Sequence, residues 1–275
     1  MRNNQRRLGQ NKSPQPPSPA AMAPNMAFAV PTEFVVLPSQ GKFYLEDHPL
    51  HKQETVEIKF MTAKDEDILS SEALLKKGLA VDRLLTSLLV NDIDPSTLFI
   101  GDRNAILIAA RISGYGEQYD VTLTCRECFT SSEIEYNLKN ASLNENCFDP
   151  VFLKREGVFF NESTQTFDTK LPASGVTVGL SLLDGESERF LSNNDKEKTV
   201  TSMLNTFITK VNDEPDPKYI DDFVEAMPVK DSRHLRTLYP KLVPQVRLIE
   251  NFLCAECFHE KEMEVPLSAE FFWPK

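Results

Sequence analysis

The pentapeptide Cys125-Arg126-Glu127-Cys128-Phe129 returns 129 residues later as Cys254-Ala255-Glu256-Cys257-Phe258. Two Cys-x-x-Cys knuckles supply four soft ligands, the number that a tetrahedral all-cysteine zinc site takes. The interval is far longer than the roughly 15–20 residues usual between the pairs of such a site. The matched flanks offset that irregularity. Tyr119, Val121 and Leu123 lead into the first knuckle, and Val246, Leu248 and Phe252 into the second. Glu133 to Leu138 leaves the first as Glu262 to Leu267 leaves the second, both alternating apolar with polar. Alternation of period two is the mark of a strand, so each knuckle is expected to cap a β-hairpin. Cys125, Cys128, Cys254 and Cys257 are therefore the expected ligands of one structural Zn²⁺, in a zinc ribbon whose halves come from opposite ends of the chain. The competing reading is a pair of redox dithiols. It is disfavoured because neither pair opens a helix after a strand in a βαβ unit.

A chain of 275 residues holds one large domain or two ordinary ones. Asp and Glu number 41 against 30 Lys and Arg, a net charge of −11. Nucleic-acid binders carry the opposite excess, so that class is disfavoured. Cys147, the fifth cysteine, is expected to be a small apolar core residue. No apolar run reaches the ~20 residues of a membrane helix, and no apolar segment follows Arg2, Arg6 and Arg7 as in a signal peptide. A cytosolic protein is the simple expectation.

Residues 1–30 read as a disordered Pro-rich arm, from Ser13-Pro14-Gln15-Pro16-Pro17-Ser18-Pro19 onward. Order is expected from Glu33. A strand is predicted over Thr55 to Phe60, and Thr62 with Asp65 forms a helix-opening signature. Helices follow over Val81–Leu89 and Arg103–Ile112. The second half repeats the scheme: Leu171-Pro172-Ala173-Ser174-Gly175 echoes Leu37-Pro38-Ser39-Gln40-Gly41, and Val176–Leu180 is a strand. Helices are expected over Glu186–Leu191, Thr199–Val211, Lys218–Ala226 and from Ser232 to about Leu238. Asp102 precedes Cys125 by 23 residues, and Asp231 precedes Cys254 by 23. These correspondences predict an α+β fold of two pseudo-repeated lobes built from short strands plus helices, joined by a split four-cysteine zinc ribbon of two β-hairpins. The boundaries expected are an N-terminal lobe over 31–140, a linker over 141–162 and a C-terminal lobe over 163–275.

No Gly-rich phosphate loop, His-Glu-x-x-His or Gly-x-Ser-x-Gly occurs. Four thiolates leave a zinc ion no open position for water or substrate. No catalytic and no cofactor-binding residue other than the metal ligands is expected. The aromatics Phe34, Phe43 and Tyr44 admit two readings, as anchors for a partner or as filling for the first lobe.

In their order, Leu37-Pro38-Ser39-x-Gly41-Lys42-x-Tyr44, Lys64-Asp65-Glu66-Asp67-Ile68-Leu69, Ile100-Gly101-Asp102-Arg103 and Ser113-Gly114-Tyr115-Gly116 ahead of the first knuckle resemble the baseplate hub assembly proteins of T-even-type contractile-tailed bacteriophages. The resemblance is best over 31–138 and includes the second knuckle. It implies a non-enzymatic hub assembly factor or chaperone. Its partners would be baseplate hub and tape-measure proteins, with no nucleic acid and no membrane, in the cytoplasm of the infected host. A permanent structural subunit of the hub, carried in the virion baseplate, is the alternative. A zinc-ribbon nucleic-acid-binding or transcription-related protein is a further one. Against the last stand Glu127, Glu133, Glu135, Glu256, Glu260, Glu262 and Glu264 on the expected hairpins.

Overall fold

The computed structural model describes residues 30–193, 199–267 and 269–272. Apart from Val30, the Pro-rich arm lies outside them. The fold is mixed α/β with small sheets. Strand β1 (Thr32–Val36) pairs antiparallel with β2 (Thr55–Lys59), and Val35, Val56 and Ile58 turn inward. Helix α1 (Ala63–Ser70) opens as the sequence predicts: the Asp65 carboxylate accepts from the Thr62 N–H at 2.8 Å and its hydroxyl at 2.7 Å. After the short α2 (Glu72–Lys76), α3 (Ala80–Leu88) buries Leu84, Leu85 and Leu88. Helix α4 (Ile100–Tyr115) is longer than expected, running through Gly114 and stopping at Gly116, whose φ of 87° only glycine takes freely.

Hairpin β3 (Gln118–Thr124) to β4 (Ser131–Asn137) follows, and its counterpart is β11 (Ile249–Leu253) to β12 (Glu260–Glu264). Residues 141–162 hold regular elements: β5 (Ser142–Asn144), α5 (Pro150–Glu156) and β6 (Val158–Asn161). β5 pairs with β10 (Gln245–Arg247), about a hundred residues further on. β6 starts a four-stranded antiparallel sheet with β7 (Thr166–Lys170), β8 (Thr177–Leu180) and β9 (Ile208–Val211). The helix expected over Thr199–Val211 is thus corrected: α7 (Val200–Phe207) ends at Phe207, and the β-branched Ile208-Thr209-x-Val211 becomes the sheet's edge. Helices α6 (Gly185–Asn193), α8 (Pro217–Glu225) and α9 (Val229–Leu242) complete this half.

Among the described residues the apolar side chains form two cores, and these do not follow the halves of the chain. One joins the N-terminal residues from Val35 to Leu138 with Leu248, Phe252, Cys254, Val265, Phe271 and Phe272. The other surrounds the four-stranded sheet and takes Phe43 from the N-terminal half. The C-terminal hairpin has therefore crossed over to complete the first core. Arg111 ties the segment after that hairpin to the end of α4 and the start of β3: its guanidinium donates to the carbonyls of Gly116 at 2.6 Å, Gln118 at 2.8 Å and Phe271 at 2.8 Å.

The first turn of α4 explains the Gly-Asp-Arg motif residue by residue. At Gly101 a Cβ would run into the Pro244 carbonyl, so only glycine allows α4 to lie against the start of β10. Asp102 accepts from the Ser39 N–H at 2.9 Å, the Ser39 hydroxyl at 2.6 Å and the Tyr44 hydroxyl at 2.8 Å, gripping the Leu-Pro turn. Arg103 donates to Asp82 at 2.8 Å and the Pro95 carbonyl at 2.6 Å, with Glu188 at 3.4 Å. Asp231 in α9 makes a grip like that of Asp102, accepting from the N–H groups of Ala173 at 2.7 Å and Ser174 at 2.9 Å.

Candidate metal centre

Each hairpin turns through its knuckle by the same hydrogen bonds. Cys125 N–H donates to the Thr130 carbonyl at 2.9 Å, and Phe129 N–H donates back to the Cys125 carbonyl at 3.1 Å. The second knuckle repeats this with Cys254 to His259 at 3.0 Å and Phe258 to Cys254 at 3.0 Å. The turn forces the residue after the second cysteine to positive φ, 61° at Phe129 and 56° at Phe258. Alternation on the strands puts Val121 and Leu123 of one hairpin, and Phe252 of the other, into the first core. Packing on that shared core brings the two turns face to face.

The four sulfurs of Cys125, Cys128, Cys254 and Cys257 lie within 4.8 Å of one another. They approach crosswise: Cys125 Sγ is 3.6 Å from Cys257 Sγ, and Cys128 Sγ is 3.5 Å from Cys254 Sγ. The buried cysteine of each knuckle thus faces the outer one of the other. These separations are far beyond the ~2.05 Å of a disulfide. They fall close to the edge of about 3.8 Å that four sulfurs define around a tetrahedral ion with 2.3 Å metal–sulfur bonds. The donor set and its spacing fit a metal ion. All four residues predicted from the sequence as ligands meet at one point.

The protonation of the group fits too. Hydrogen bonds from Thr130, side chain and backbone, hold the Cys128 thiol down at about 6. Cys257 receives a hydrogen bond from the His259 backbone that favours its thiolate. Desolvation and the neighbouring sulfurs nevertheless push it up to about 12. A divalent cation bound between them would favour the thiolate of Cys128 and Cys257 alike.

Cys147 sits apart, buried in the second core, with its thiol raised to about 12 chiefly by burial. Of the three aromatics considered as anchors, two are core residues. Phe43 packs among Phe148, Phe160 and Phe167 with ring centres 5.1–5.4 Å away. Tyr44 lies stacked between His48 and Phe99. Only Phe34 of the three is open to solvent, at 71% exposure. Sequence reasoning missed the surface on the knuckles themselves, where Phe129 and Phe258 are each 77% exposed. The available signal was the aromatic residue following each Cys-x-x-Cys.

Among the described residues no helix is long and apolar enough to cross a membrane. A family model described as T4 bacteriophage base plate protein matches residues 31–273. No curated protein and no solved structure matches.

Proposed function

We propose, from the premise that this chain belongs to the T4 bacteriophage base plate protein family, that it is a non-enzymatic assembly factor for the baseplate hub. It would bind hub or tape-measure components in the host cytoplasm until their final contacts form. The observation that carries the baseplate part of this reading is the family match over residues 31–273. The cysteine cluster supplies the physical side. We assign it a structural Zn²⁺ held by Cys125, Cys128, Cys254 and Cys257, saturated by protein sulfur and without a position for substrate. When bound, the ion supplies charge compensation and a crosslink between hairpins more than a hundred residues apart in sequence.

The twin knuckles and the twin grips of Asp102 and Asp231 support a further part of the reading. They fit descent of the two halves from one duplicated module, with lobes over 31–140 and 163–275.

The test is to compare infected-cell extracts with purified phage, quantifying the chain against other baseplate proteins. An assembly factor is abundant in extracts, co-purifies with hub precursors and is absent from finished particles. Stoichiometric presence in particles would replace this reading with that of a permanent subunit of the hub. Tails of normal number and length from phage lacking the gene would end both.

A further inference from the structure

Phe129 and Phe258 occupy equivalent places on the two knuckles, and neither local conformation nor packing accounts for them. Each sits at positive φ, a region glycine enters freely and a residue with a Cβ enters at a cost. Each ring is 77% exposed, so the cost is not recovered by burial in this chain. Backbone strain held at two matched, solvent-facing aromatics is the pattern of a binding site. Both residues follow directly on a cysteine of one sulfur cluster, and the hydrogen-bonded turns fix their backbones in advance, so less backbone freedom is lost on binding.

The geometry points to this knuckle tip as the docking surface of the chain, with the two phenylalanines as paired anchors. Its occupant is a Lys/Arg-framed apolar recess on another baseplate protein. The charge pattern makes that choice. Glu127 and Glu256 stand inside the knuckles, and Glu260, Glu262 and Glu264 follow on β12, all exposed. Arg126 and Lys261 are the only basic side chains, other than His259, on the two hairpins. A nucleic acid or a second copy of this chain would meet like charge, whereas a basic rim meets its complement. This docking surface rests on the baseplate reading above and names where that function makes contact.

The experiment uses the full chain in cells infected with phage lacking the gene. Benzoyl-phenylalanine placed at 129, at 258 or, as control, at the exposed Phe159 is photo-crosslinked, and the joined peptides are sequenced. The expected result is crosslinking from 129 and 258, but not 159, to a Lys/Arg-rich segment of another baseplate protein. The double variant Phe129→Gly/Phe258→Gly removes both rings at positions where glycine relieves the backbone, so its Tm should not fall. Its affinity for the crosslinked partner should drop at least about 30-fold per ring. Crosslinks to copies of this chain, to nucleic acid or equally from 159 would overturn the proposal. So would full complementation of plaque formation by the glycine variant. Plaques formed without the gene at all would instead remove the assembly role itself, which separates the two failures.

Discussion

Replacing Cys254 by serine probes the join between the two hairpins. A structural zinc contributes on the order of 10–16 kcal/mol in finger peptides, so one thiolate of four carries about 3–4 kcal/mol. Metal affinity should therefore fall roughly 10²–10³-fold. Cys254 is also fully buried, beside Cys128 Sγ at 3.5 Å. A serine hydroxyl there, without a matched partner, adds about 1–3 kcal/mol of desolvation cost. The total of about 4–7 kcal/mol rivals the whole stability of many domains. Because Cys254 shares a core with Val121, Leu123 and Tyr136, the damage should spread to residues 118–137. The assay is elemental analysis with chelator competition, coupled to backbone hydrogen exchange over both hairpins. Cys147→Ser serves as control, since that thiol is buried in the other core and should leave metal content unchanged. Wild-type protein without a stoichiometric metal, or faster exchange in 249–264 alone, would refute the reasoning.

Arg111→Met should cost about 3–5 kcal/mol in urea denaturation, because it strips three carbonyls of a buried cationic donor. Proteolysis near Phe271 should quicken in parallel. Gly101→Ala should cost about 1–3 kcal/mol by pushing α4 off the Pro244 carbonyl, whereas Gly78→Ala, with open space around it, tests backbone strain alone. The two aspartate grips should respond to pH with opposite sign. Burial raises the Asp231 pKa, but hydrogen bonds from Ser174 and Ala173 outweigh it and hold the carboxyl below its usual value. Its stabilisation is present above the unfolded value near 3.9 and is lost as pH falls through the folded one. Burial raises Asp102 above its usual value despite bonds from Ser39 and Tyr44, so its contribution is fullest below about pH 3.9 and declines as pH rises. Urea melts of Asp231→Asn and Asp102→Asn across pH 3–7 should show the wild-type advantage shrinking in acid for the first and toward neutrality for the second.

The sequence made the cysteine cluster legible because a twice-written motif with alternating flanks needs only strand periodicity to be placed. The helix-opening role of Thr62 and Asp65 was equally local. What stayed hidden depended on contacts distant along the chain. The strand Ile208–Val211 continues an apolar pattern begun in α7, and only its β-branched residues hinted at the change. Residues 158–161 fall in the expected linker and 166–170 at the start of the expected C-terminal lobe, neither with a predicted strand, and among the described residues they pair in register within the four-stranded sheet. Phe43 and Tyr44 carried no mark of burial, since an aromatic after a turn suits a surface as well as a core. The exposure of Phe129 and Phe258 followed from knuckle geometry, which composition alone does not encode.

Translation runs from the N-terminus, so a site that needs sulfurs from both knuckles can be assembled only late in synthesis. Cys128 emerges from the ribosome 129 residues before Cys257. At bacterial elongation rates that is a wait of roughly 6–26 s, during which the early knuckle has no mate. Closure of the site thereby waits on the second hairpin, and a product truncated ahead of it can never be sealed. A chain that stops short of Cys257 lacks at least one of the four sulfurs that this site brings together.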